Sequence, residues 1–125
     1  MIGPIRFTYQ GWMPQANALL RASGWQSKRR LKQLGIKTFG DLPASVRVHQ
    51  RATVHIVRVL GPRQRLLDSD NLAIVHKPLI DALVVCGWLH DDKPQWATIT
   101  YAQDEMRRQD GPKSEIQIEY AQGEA

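Results

Sequence analysis

The sequence predicts a small single-domain protein of the α/β (α+β) class, with a mixed four-stranded sheet and elements in the order β-α-β-α-β-β. Three observations predict it. The chain has 125 residues, so residues 1–125 are most simply one domain with one core. Four segments show the two-residue alternation or the β-branched richness of strands. Two further segments, each preceding a strand, have helical patterning instead.

The first strand lies within residues 5–12, where Ile5, Phe7 and Tyr9 alternate with Arg6, Thr8 and Gln10, and Pro14 ends it. A helical region follows within residues 16–34 and carries the SKRRLKQ cluster, with Gly24 as its weak point. Residues 35–45, GIKTFGDLPAS, read as a connection. RATVHIVRVL, residues 51–60, is the second strand, and GPRQR, residues 61–65, is a basic turn after it.

Residues 71–86 are helical in pattern, but Pro78 has no backbone donor and would clash with the preceding turn of a helix. Two arrangements are therefore open: one kinked helix across 71–86, or a helix beginning near Lys77 with Pro78 in its first position. Gly87 is a natural stop for both. WATITYA (96–102) and SEIQIEYA (114–121) are strands three and four, with QDEMRRQDGPK between them as a polar hairpin loop.

A hydrophobic content of 42% argues against disorder. His76, Lys77, Asp81 and His90 interrupt the longest apolar run, so no membrane span is expected. The N-terminus lacks the charged and apolar blocks of a signal peptide, and a soluble cytoplasmic location is the default expectation. A single Cys86 excludes an internal disulfide and a zinc cluster built on cysteine, and reads as a space-filling residue of a buried helix. Charge is unevenly divided. Residues 1–67 carry 12 Lys and Arg against Asp41 alone, while the remainder carries 5 basic and 11 acidic residues. That division suggests a basic surface for a polyanion and a separate acidic focus.

The acidic focus is the stretch Leu66 to Asp92. Asp68 and Asp70 stand two apart at a strand-to-helix junction, and in extended backbone such residues point the same way. Two carboxylates aimed at one point repel unless a cation lies between them, and their oxygens suit Mg²⁺ or Mn²⁺. Asp91-Asp92 offers a third ligand where the chain can fold back. If the helix is continuous from Asp70, Lys77 and Asp81 return to within about 20° of the direction of Asp70. The alternative for each piece is structural. Asp70 or Ser69 can cap a helix, Asp91-Asp92 can be a solvated turn, and Asp81 can pair with Lys77 at i+4 spacing. His55, His76 and His90 read as structural or surface residues, and Trp88 and Tyr101 as core. Trp25, beside SKRR, is a weak candidate for base stacking.

The run D-S-D-N-L, then Lys77, then D-A-L, then G-W-L-H-D-D resembles the signature of the RusA family of Holliday-junction resolvases, which often occur in phages and prophages. The likeness is close over about half the chain, from RVLGPRQR through the last strand, and the N-terminal third matches in outline. It implies a small α/β homodimer with Mg²⁺-dependent cutting of branched DNA, acting in recombination and repair. Carried over residue by residue, it implies that Asp68, Asp70 and Asp92 are catalytic carboxylates and metal ligands, with Asp91 a further candidate ligand. Lys77 resembles the catalytic lysine, and Asp81 matches another acidic position of the motif. One departure is plain. In the usual form the lysine follows the second aspartate by four residues, and here by seven, so Ala73-Ile74-Val75 looks like an insertion. Both offsets lie on the same side of a helix.

The expectation is therefore an endonuclease for four-way junctions. Lys28, Arg29, Arg30, Lys32, Arg63 and Arg65 would contact backbone phosphates without reading sequence. Its rivals are a non-catalytic nucleic-acid-binding protein and a metal nuclease acting on other branched DNA or on RNA.

Overall fold

The computed structural model of the chain describes residues 4–11 and 24–121. Along them lie β1 (Ile5–Gln10), α1 (Gly24–Phe39), β2 (Ala52–Val59), α2 (Ser69–Cys86), β3 (Ala97–Asp104) and β4 (Lys113–Tyr120), with short 3₁₀ turns at Ala44–Val46 and Arg108–Asp110. The class is α+β: two helices and one mixed four-stranded sheet in the order β1-β4-β2-β3. β4 is antiparallel to both β1 and β2, and β2 is parallel to β3. No helix among the described residues is long and apolar enough to cross a membrane.

Alternation places Val54 and Ile56 of β2 beside Ile118 and Ile116 of β4 on one face, all at 0–1% exposure. Leu31 of α1 and Val75, Leu79, Leu83 and Cys86 of α2 join them in one core. The opposite face is polar: Arg6 Nε donates to Gln117 Oε1 at 3.0 Å, and His55 Nδ1 lies 2.6 Å from Thr100 Oγ1.

QDEMRRQDGPK is not a hairpin, because β2 lies between β3 and β4. Parallel strands need a crossover, and α2 supplies it for β2 and β3. The alternating Ser114, Ile116 and Ile118 of β4 are all buried, which suits a central strand, whereas Thr98 and Thr100 of β3 are exposed at an edge. The loop after β3 instead crosses the end of β2, where Arg108 donates to Gly61 O at 2.8 Å and Gln64 O at 2.7 Å.

α1 also differs from expectation. It continues through GIKTF to Phe39, residues that read as a connection, and its expected part before Gly24 lies outside the described residues. Gly35 is not a breaker here but a contact point between helices. A Cβ at that position would stand 2.9 Å from Ala82 Cβ and 3.0 Å from Leu79 Cδ2. Gly35→Ala should therefore destabilise the protein by about 1–3 kcal/mol through overpacking, despite alanine's better helix propensity. Urea unfolding checks this; an unchanged or raised midpoint would mean the two helices part at little cost.

Pro78 lies inside α2, which runs unbroken from Ser69 to Cys86, so the single-helix arrangement is the one adopted. An interior proline costs about 3 kcal/mol in lost hydrogen bonding and crowding. Full burial of Val75, Leu79, Ile80 and Leu83 around it contributes about 1.5–3 kcal/mol per side chain in the opposite direction. Tertiary packing overrides the local breaker.

Candidate active site

α2 begins at the paired acids. Asp68 has extended backbone (φ −72°, ψ 168°), and its Oδ1 accepts from the Asn71 backbone N–H at 2.8 Å. Asp68 is thus the N-cap, rather than Ser69 or Asp70. Its Oδ2 accepts only a longer bond, 3.3 Å from the Asn71 amide. Asp70 stands exposed in the first turn, where the positive end of the helix dipole favours a carboxylate.

Two helical turns on, Lys77 projects from the face that Asp70 begins. Its ammonium donates to Asp81 at 2.9 Å, the i+4 pair, and also to Asp92. Asp92 reaches it because Gly87, at φ 90°, ends the helix in the left-handed region and turns the chain back. Asp91 Oδ1 accepts from the Asp92 N–H at 2.7 Å, a local turn that aims the neighbouring carboxylate. Partial burial disfavours the Lys77 ammonium, but the bonds to Asp92 and Asp81 outweigh it and hold its pKa above the ordinary lysine value. The same bond from Lys77 holds the Asp92 carboxyl below the usual carboxylate range. Burial raises the pKa of Tyr101, with Lys77 lowering it and Asp92 raising it in turn, so this phenol sits in the field of both.

Lys77, Asp81 and Asp92 are therefore brought together, and among the described residues the side-chain bonds of Asp68 are to Asn71 alone. Among the described residues no group of three or more His, Cys, Asp or Glu is arranged to hold a metal ion.

Sequence reasoning missed the residues that hold the loop leading into Asp68. Gln103 of β3 grips the peptide just before it from both sides. Leu67 N donates to Gln103 Oε1 at 2.9 Å, and Gln103 Nε2 donates to Leu67 O at 2.7 Å. Arg58, buried in β2, donates to the same Gln103 Oε1 at 2.9 Å and to Arg65 O at 3.1 Å. An arginine amid the apolar run HIVRVL was the available signal, since a charge in a core strand needs a partner. Gln103 carried none. Gln103→Leu should loosen the approach to Asp68, leaving two backbone groups without their partner at a cost of about 1–3 kcal/mol. Faster amide exchange at Leu67 would report it; unchanged exchange would make the grip incidental.

A cleft of about 480 Å³ faces Lys77. It is lined by Lys28, Arg29 and Lys32 of α1 and by Ile74, Lys77, Pro78 and Asp81 of α2. Arg30 is not among them and instead lies near Tyr9, whose pKa burial raises and the Arg30 charge lowers. Arg63 and Arg65 are exposed on the loop before Asp68. The basic residues singled out by composition therefore divide three ways, and only the α1 trio lines the cleft beside Lys77. His76 is structural: fully buried, it donates from Nδ1 to Leu72 O at 2.8 Å and accepts at Nε2 from the Ser114 hydroxyl at 2.9 Å. Cys86 is buried and Trp88 packs against the core, while Trp25 is exposed. No protein-family model matches the chain, and no curated protein matches its sequence.

Proposed function

We propose that this protein is a Mg²⁺-dependent endonuclease that cuts branched DNA, with the four-way junction as its substrate. The observation that carries the reading is the cleft in which a basic row on α1 faces Lys77, itself held between Asp81 and Asp92. Basic side chains beside a carboxylate cluster suit a phosphodiester: the cations hold the polyanion, and the acids supply hard oxygen ligands.

The donor chemistry of Asp68, Asp70 and Asp92 fits Mg²⁺ or Mn²⁺, and the Asp68 cap leaves that carboxylate with unused lone pairs. Bound there, the ion would acidify a water and neutralise charge developing on the phosphoryl oxygens. The protein's own part is electrostatic. Lys77 stays protonated at working pH and stabilises negative charge on the phosphate or leaving oxygen. Asp81 and Asp92 hold its ammonium in place. Lys28, Arg29 and Lys32 anchor the backbone without reading bases. A homodimer would present two such sites with the two-fold symmetry of a junction, and light scattering at micromolar concentration tests it.

The test is incubation with a synthetic four-way junction, with and without Mg²⁺, beside duplex, flap and RNA substrates. Paired nicks that need both the junction and the metal support the reading; binding without cutting under every condition overturns it. A second reading, a nucleic-acid-binding protein without catalysis, is favoured by the present engagement of Asp68 as a cap and of Asp92 with Lys77.

Binding should weaken with salt, and replacing Lys28, Arg29 and Lys32 together by Gln should flatten the slope of log K against log salt by about 2–3. Arg30→Gln alone should change it by less than a third of that. Equal effects from Arg30 and the trio would place the DNA elsewhere on α1.

A further inference from the structure

Neither His49 nor His90 lines the cleft, and their rings meet edge to face with centroids 5.1 Å apart. Their Nδ1 atoms are 3.1 Å apart, and both side chains reach solvent. Neither has a role in the proposed cleavage. We propose that this pair is a binding site for a divalent transition-metal ion of the imidazole-preferring class, with Zn²⁺ as its representative. The proposal does not depend on the nuclease reading.

Two features support it. The first is the spacing. With Zn–N bonds of about 2.0–2.1 Å, nitrogens at this separation subtend about 100° at the metal, between octahedral and tetrahedral values. The second is how firmly both residues are held. The segment bearing His49 is tied to the segment bearing His90 on either side: Val48 N donates to Gly87 O at 2.9 Å, and Ala52 N to Trp96 O at 2.9 Å. Arg51 adds bonds to the carbonyls of Pro94 and Gln95, each at 3.1 Å. The His90 ring also packs on Trp96, with centroids 4.1 Å apart. Two ligands held this way lose little freedom on binding, which is the usual obstacle for a surface pair. Waters would complete the coordination. Mg²⁺ prefers oxygen ligands and does not compete for imidazole, so the two kinds of ion sort to different places on the protein.

The experiment is a calorimetric titration of the full chain with Zn²⁺ in excess Mg²⁺, together with His49→Ala, His90→Ala and Asp70→Asn. Circular dichroism confirms folding, which these exposed positions should not affect. The expected result is one Zn²⁺ per chain, weakened by about tenfold or more in each histidine variant and unchanged in Asp70→Asn. Zn²⁺ should also shift the ring-proton resonances of both histidines together. Absence of binding, or histidine variants that bind as the parent does, would reduce the contact to a hydrogen bond between two imidazoles. Loss of binding in Asp70→Asn alone would move the ion to the acidic cluster and equally overturn the proposal.

Discussion

Asp70→Asn is expected to lower single-turnover cleavage of a four-way junction by about two orders of magnitude or more, while junction binding stays equal or tightens. The substitution removes a hard ligand and also a negative charge that repels phosphate in the metal-free protein. Its structural cost should be small. Asp70 is exposed in the first turn of α2, and its favourable interaction with the helix dipole is worth about 0.3–1 kcal/mol. Asp68 allows a sharper separation of chemistry from structure, because it caps the helix. Asparagine caps as well as aspartate but binds a hard cation poorly, so Asp68→Asn should keep its stability and lose cleavage. Asp68→Ala should lose cleavage and also about 0.5–2 kcal/mol of stability. Measuring cleavage, binding and urea midpoints on all three variants checks the set. If Asp68→Asn cleaves like the parent, Asp68 is a cap and nothing more; if Asp70→Asn loses binding in step with cleavage, the metal-ligand role fails.

The second large effect is on stability below neutral pH, and it comes from His76. Burial, opposed by the bond to the Leu72 carbonyl and assisted by the Arg58 charge, pushes its pKa down from 6.5 to about 4. The neutral ring is the one the fold requires, since Nε2 must accept from Ser114. The unfolded chain therefore takes up a proton as pH falls below 6.5, and the folded protein does not until about pH 4. Stability is full well above 6.5 and declines below it, by about 2 kcal/mol between pH 6.5 and 4.5. Asp92, Asp104 and Glu115 have lowered pKa values, so their contribution is present above their ordinary values of 3.8 to 4.5 and disappears only below them. Urea unfolding at pH 7 and pH 4.5 should show the decline in the parent and lose most of it in His76→Gln. An equal decline in both proteins would show that His76 titrates alike folded and unfolded.

The segment Ala73-Ile74-Val75 illustrates how sequence and structure divide the account. Its spacing, seven residues from Asp70 to Lys77, is consistent with one helix face, and α2 is continuous across it. Yet Val75 is fully buried, so the three residues belong to the packed helix and are not an exposed bulge. In the same way Pro78 left two local arrangements open, and only burial against the sheet selects the unbroken one.

What the sequence determined by itself is what local backbone geometry writes into it. The two-residue alternation of IRFTYQ and SEIQIEY located β1 and β4, β-branched richness located β2, and helical spacing placed Lys77 and Asp81 four apart on one face. Tertiary structure decided everything that joins residues far apart in the chain. It put β2 between β3 and β4, brought Asp92 onto Lys77, closed Gln103 on the peptide before Asp68, and turned Lys28, Arg29 and Lys32, but not Arg30, toward the cleft. Periodicity arises within a few residues of backbone, so it can be read in order. Pairing depends on which buried faces fit together, and no local pattern states that for Gly35 against Ala82 or His76 against Ser114.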